Sequence, residues 1–274
     1  MILEEIEIMI EGYQLETPAK LFAYRLEDFR EESRLRPAVI ICPGGGYGYT
    51  SDREAEPVAL RYLAAGFHAF VLRYHVAPTR YPVALLELAK CIQIIREHTA
   101  EWKIDDRKII LNGFSAGGHL AGCLSCFWSD QELAKALNTT SEKIKPNGCI
   151  LSYPVITAGE FAHRGSFDNL VAENKELLTK LSLEYQVNDK MPPVFLWHTY
   201  TDNSVPVENA LLFVSALRKF SISTEFHMFP FGSHGLSLAN EETKTEDGRG
   251  VQEECEVWID MAIRWINKLG GEQC

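Results

Sequence analysis

No stretch of this 274-residue chain approaches the roughly 18 uncharged apolar residues that a membrane-spanning helix needs. The opening residues Met1-Ile2-Leu3-Glu4-Glu5-Ile6-Glu7 hold neither a basic region nor a long apolar core. No secretory signal is read there, and the cytoplasm is the expected compartment. Positive charge is scarce: 27 lysines and arginines stand against 38 aspartates and glutamates, a formal net charge of -11. That balance argues against nucleic acid, whose phosphates it would repel, and against adsorption to an anionic membrane. Solubility is its plain consequence. A disulfide framework is also missing. The seven cysteines, at 42, 91, 123, 126, 149, 255 and 274, are odd in number and scattered through apolar segments. Cys123 and Cys126 are spaced as C-x-x-C, but no second pair and no nearby histidine pair completes a zinc site. Buried thiols are expected, and no metal.

What is present is a repeating alternation of short apolar runs and amphipathic segments. Ile6 to Ile10 and Leu21 to Tyr24 suggest an antiparallel hairpin at a sheet edge, followed by a charged loop from Glu27 to Arg36. Apolar runs at 38–41, 68–72, 108–111, 149–153, 194–198 and 224–229 read as strands. Helices are expected near 54–65, 82–98, 117–127, 130–137, 207–220 and 251–268. Strands apolar on both faces and separated by helices predict a mostly parallel sheet covered on both sides, an α/β fold. One segment, 156–191, breaks the alternation, with a helical stretch around 175–183. It is read as a small cap insertion near the active site within a single domain over 1–274.

The chemistry begins at Gly113-Phe114-Ser115-Ala116-Gly117, a G-x-S-x-G pattern between an apolar strand and a small helix. Such a nucleophile elbow holds the serine in a strained turn and projects its hydroxyl above the sheet, with glycines where a Cβ would collide. A serine hydroxyl needs a base, and the base needs an orienting group. Asp202 follows the strand ending at His198, and His234 follows the strand at 224–229, which is the Ser, Asp, His chain order of this class. The other histidines compete less well: His119 points away along its helix, and His75 leaves a strand upstream of the serine. Asp189 lies before its strand and so at the opposite sheet edge. Pro43-Gly44-Gly45-Gly46-Tyr47-Gly48 follows the first core strand, where main-chain N–H groups can converge on an oxyanion. Gly45, Gly46 and Ala116 are the expected donors. The glycine cluster offers no G-x-G-x-x-G register, which argues against a dinucleotide loop.

With these loops in place the chain resembles the α/β-hydrolase superfamily, and within it the small esterases related to acetyl-xylan esterases and hormone-sensitive-lipase-like enzymes. The marks are Pro43 to Tyr47, Gly113 to Ala121, Pro192 to Thr199, Asp202 with Val205-Pro206-Val207, and Gly232 to Gly235. Pro43 stands where many lipase-like relatives have histidine, and Thr201 where close relatives often have a second acidic residue. The resemblance implies hydrolysis of a carboxylic ester without a cofactor, the acyl group short, such as acetyl on a sugar or another small molecule. Tyr47, Tyr49 and His163 are then candidates for the substrate-binding rim. A peptidase or amidase of the same fold is the alternative left open, as is assembly into a homodimer.

Overall fold

The computed structural model describes residues 1–28 and 34–270. The expected charged loop at 27–36 lies partly outside the described residues, and Cys274 wholly so. Strands β1 (Ile2–Ile8) and β2 (Ala19–Arg25) form the edge hairpin, Ile2 opposite Arg25 and Ile8 opposite Ala19. There follow β3 (Arg36–Cys42), α1 (Glu56–Ala64), β4 (His68–Arg73), α2 (Val83–Glu97), α3 (Thr99–Trp102) and β5 (Ile104–Phe114). Next come α4 (Ser115–Phe127), α5 (Gln131–Ala136), β6 (Gly148–Ser152), α6 (Arg164–Val171) and α7 (Leu177–Lys180). The chain closes with β7 (Val194–Thr199), α8 (Glu208–Lys219), β8 (Thr224–Phe229), α9 (Glu253–Glu256) and α10 (Trp258–Lys268).

The eight strands make one sheet in the order β1-β2-β4-β3-β5-β6-β7-β8. β2 runs antiparallel to β1 and β4, and the pairs from β4 through β8 are parallel. Parallel strands buried on both faces explain the unbroken apolar runs. In β3 every residue is buried; Val39 and Ile41 enter the core beneath α1 and α10, whereas Ala38, Ile40 and Cys42 enter the core beneath α2 and α4. The six described cysteines are all buried and unpaired. Among the described residues no helix is long and apolar enough to cross a membrane.

Three elements differ from the sequence expectation. The helix read over 251–268 begins later, at Glu253, because the Gln252 amide donates to the Ala239 carbonyl at 2.8 Å and holds the chain extended there, and it runs as α9 and α10 on either side of Val257. The stretch read over 175–183 contracts to α7. α6 was not expected; it buries Phe167, Leu170 and Val171, a three-and-four spacing that the sequence did carry.

The register of β3 against β5 pairs Cys42 with Gly113, so the glycine loop and the serine turn leave the sheet side by side. Ser115 sits at φ +52°, a left-handed conformation costing roughly 1–3 kcal/mol in a non-glycine residue. A Cβ on Gly113 would lie 2.2 Å from the Gly117 carbonyl oxygen, and one on Gly117 would lie 2.1 Å from that of Cys42 and 2.4 Å from that of Pro43. Both contacts are with backbone, which cannot turn away. Gly117→Ala is therefore expected to lower the thermal midpoint by about 2–12 °C, from an overpacking cost of about 1–3 kcal/mol at roughly 2–4 °C per kcal/mol. Calorimetry that finds an unchanged midpoint would contradict this packing.

Candidate active site

The carboxyl ends of β5, β7 and β8 bring together three side chains that are far apart in the chain. Ser115 Oγ lies 2.7 Å from His234 Nε2, and His234 Nδ1 lies 2.6 Å from Asp202 Oδ2. Asp202 is buried on the turn after β7, where its Oδ1 accepts the Ser204 and Val205 amides at 2.9 Å each. His198 Nε2 lies 3.4 Å from Oδ2 while donating to the Val205 carbonyl at 2.9 Å. Burial alone would raise the Asp202 pKa; the contacts with His198 and His234, and the Val205 amide, outweigh it and hold the carboxyl well below its ordinary range. The aspartate is thus a fixed negative charge that orients the imidazole and donates nothing. Thr201 Oγ1 donates to the Gly232 carbonyl and accepts its amide at 3.0 Å, pinning the turn after β7 to the loop that presents His234.

Gly45 and Gly46 form the wall opposite. Gly45 has φ +126°, and a Cβ there would lie 2.2 Å from the Tyr49 carbonyl oxygen, so only glycine closes this turn. Among the described residues the Gly45 and Gly46 amides donate to no protein acceptor. Ala116 stands in the first turn of α4, where backbone N–H groups have no intrahelical partner. Gly45 and Gly46 line a cavity of about 390 Å³ together with Ser115, His234, Tyr49, His163 and Asn169, and Ala116 lies buried directly after the serine. His163 Nδ1 is paired with Ser166 Oγ at 2.8 Å; burial first, and then the charge of His234, push its pKa down.

Tyr47 is a correction to the sequence reading. It does not line the cavity and is 3% exposed, its hydroxyl 2.8 Å from His119 Nδ1. It packs behind the glycine loop instead of facing a substrate. Tyr49, 65% exposed, does face the cavity, as does His163. Asn169 was missed: its Nδ2 donates to the Gly46 carbonyl at 2.9 Å and ties α6 to the glycine loop. Nothing in the local sequence marks an asparagine for a contact so distant in the chain.

A mostly parallel sheet with a serine on a strained elbow, backed by histidine and aspartate on later loops, defines the α/β-hydrolase class. Within that class the chain belongs to the BD-FAE family, whose model it matches over residues 28–217. It is 38% identical over 230 residues to endo-1,4-beta-xylanase B of Butyrivibrio fibrisolvens, a match covering 81% of this chain but 35% of that protein. The chain therefore spans about a third of that relative's length. Among solved structures it resembles an acetyl ester-xyloside bifunctional hydrolase from Caldicellulosiruptor lactoaceticus, with TM-score 0.85 and 35% identity over 97% of this chain and 96% of that one. A carboxylesterase from Lactobacillus plantarum superposes with TM-score 0.87 and 32% identity, covering 98% of each chain.

His119 shows how the glycine loop is held. Its Nε2 lies 2.7 Å from the Leu181 carbonyl, which can only accept, so Nε2 carries the proton and Nδ1 accepts from the Tyr47 hydroxyl. Burial pushes its pKa down from 6.5 to about 4. Below pH 6.5 the unfolded chain takes up a proton that the folded one refuses, so this site loses stability as the pH falls from 6.5 to 4. Asp202, with a depressed pKa, stays charged throughout that window. The buried carboxyls of Glu54 and Glu87, pushed up by burial, titrate in the opposite sense, so the readout is a difference. The melting-point advantage of the wild type over His119→Gln is expected to shrink by about 5 °C between pH 7 and pH 4.5. A constant advantage across that range would rule out a neutral, buried His119.

Proposed function

We propose that this protein is a serine esterase that removes short acyl groups, acetyl foremost, from sugars or comparable small polar alcohols. The observation that carries the reading is the 2.7 Å and 2.6 Å relay from Ser115 through His234 to Asp202. Ser115 Oγ attacks the acyl carbon as His234 Nε2 takes its proton, and Asp202 stabilises the imidazolium that results. The developing oxyanion is received by the amides of Gly45, Gly46 and Ala116. His234 then protonates the departing alcohol, and a water molecule activated by the same imidazole releases the acid from Ser115.

The cavity supports the substrate class. Its glycines and short polar side chains, Ser51, Ser204 and Asn169 among them, suit a small acyl group and a hydroxylated leaving group. The 156–191 segment is read as a cap on a single domain, since it supplies His163, Gly165 and Asn169 to the cavity lining. His163, kept neutral by burial, offers Nε2 to a substrate hydroxyl while Ser166 holds Nδ1. The xylan-related names of the relatives point to acylated xylo-oligosaccharides as the first substrates to assay.

A fluorophosphonate probe is expected to label the wild type and not Ser115→Ala, and His234→Ala is expected to lower kcat at least about 10³-fold. p-Nitrophenyl acetate is expected to outpace the octanoate ester by about 10-fold or more in kcat/KM, and to outpace a matched acetanilide. Faster turnover of the amide would make the protein an amidase instead. For the rim, His163→Ala is expected to raise KM for an acetylated xylo-oligosaccharide about 5- to 10-fold, the loss of one hydrogen bond, with a smaller change for p-nitrophenyl acetate. Equal changes for both esters would remove His163 from sugar recognition.

A further inference from the structure

Glu54 is a buried carboxylate that the acyl-transfer scheme does not use. It is 3% exposed, at the end of the short turn between the glycine loop and α1, and it borders the same cavity as Ser115. Its two oxygens receive donors from two different parts of the site. Oε2 accepts the amide of Gly44 at 2.7 Å, the residue immediately before the proposed oxyanion donors Gly45 and Gly46. Oε1 accepts the hydroxyl of Tyr153 at 2.7 Å. That hydroxyl in turn accepts the amide of Ser237 at 2.8 Å, three residues beyond His234. Every donor in this series points toward the carboxylate, because an amide can only donate and an ionised carboxylate can only accept.

The Tyr153 ring completes the link. It stands edge-on to the imidazole of His234, with ring centroids 5.1 Å apart and an interplanar angle of 72°. Tyr153 is itself held at φ +38°, just beyond the end of β6, with its amide on the Trp197 carbonyl at 2.8 Å. The serine is near as well: a Cβ built on Gly44 would lie 2.8 Å from Glu54 Oε2 and 2.9 Å from Ser115 Cβ. A buried carboxylate is an expensive way to fill space, since an apolar side chain of similar size would avoid its desolvation. Burial pushes its pKa up, and Tyr153, Gly44, His234 and Arg53 act in the opposite direction.

We infer that Glu54 is a positioning residue, which through the Gly44 amide and the Tyr153 hydroxyl locks the oxyanion loop in register with the loop that carries His234. This rests on the esterase reading above. The two loops leave different strands, and the reaction needs the oxyanion donors and the imidazole placed about one carbonyl group together; a misplacement of about 1 Å costs as much as about 10²-fold in rate. A tie between the loops through the Tyr153 hydroxyl removes that freedom. Because both loops are already formed around the substrate cavity, its loss affects turnover more than binding.

Steady-state kinetics on p-nitrophenyl acetate test this with the wild type, Glu54→Gln, Tyr153→Phe and the double variant. Fluorophosphonate titration counts the competent sites, and calorimetry follows the fold. Each single variant is expected to lower kcat per titrated site about 10- to 100-fold with KM changed less than about threefold. The double variant is expected to fall no more than about threefold below the weaker single variant, because the two side chains act as one unit. A kcat within about threefold of wild type for Glu54→Gln, or a double variant that loses the product of both effects, overturns the inference. Should Glu54→Gln not fold, Tyr153→Phe decides by the same kcat criterion, since it deletes only the bridging hydroxyl. Wild-type protein that takes no label overturns the esterase reading and this inference with it, whereas labelled wild type beside a fully active Glu54→Gln overturns the inference alone.

Discussion

The close approach of α4 to the end of β3, with Gly117 lying against the carbonyls of Cys42 and Pro43, is the constraint on which the rest of the site depends. It forces the chain to turn from strand to helix within one residue, and that residue is Ser115 in a left-handed conformation. The same approach sets the glycine loop beside the serine, because Cys42 and Gly113 are neighbours in the sheet. Strain at the serine is tolerated since two cores, one on each face of the sheet, lie around β3 and β6, buried throughout, and around residues 109–114 of β5, and leave the turn no room to relax.

Around that turn the polar chemistry is arranged in buried pairs that each join two elements. Asp202 is fixed by amides of its own turn before it meets His234. His119 joins Tyr47, on the glycine loop, to the Leu181 carbonyl, in the segment between β6 and β7. Asn169 ties that same segment to Gly46. A site built this way has little freedom to reorganise, which is the condition under which fixed dipoles stabilise a transition state most.

Much of this was legible in advance, for identifiable reasons. Parallel strands announce themselves as apolar runs, and the loops after them alternate in chain order with the helices, so Ser115, Asp202 and His234 could each be assigned to the carboxyl edge. Tyr47 was misread because an aromatic beside an oxyanion loop is equally suited to face a substrate or to pack behind the backbone; only its contact with His119 decides which. The late start of α9 was invisible because it depends on a hydrogen bond from Gln252 to Ala239. Glu54 read as the start of a helix, and nothing local sets its carboxylate apart from the many exposed acidic side chains of this chain.

By itself the sequence determined the strand–helix alternation, the chain order of Ser115, Asp202 and His234, and the glycines of the elbow and of the loop after β3. Those features follow from local rules: side-chain period, backbone freedom and the places where a Cβ cannot fit. Only the tertiary structure decided that Ser115 and His234, 119 residues apart, meet at 2.7 Å, and that Tyr47 turns inward while Tyr49 turns out. It alone decided that the Glu54 carboxylate lies between the two loops. The reason is that hydrogen-bond distance and burial are set by which strands lie side by side, and that adjacency is a property of the assembled sheet, not of any segment within it.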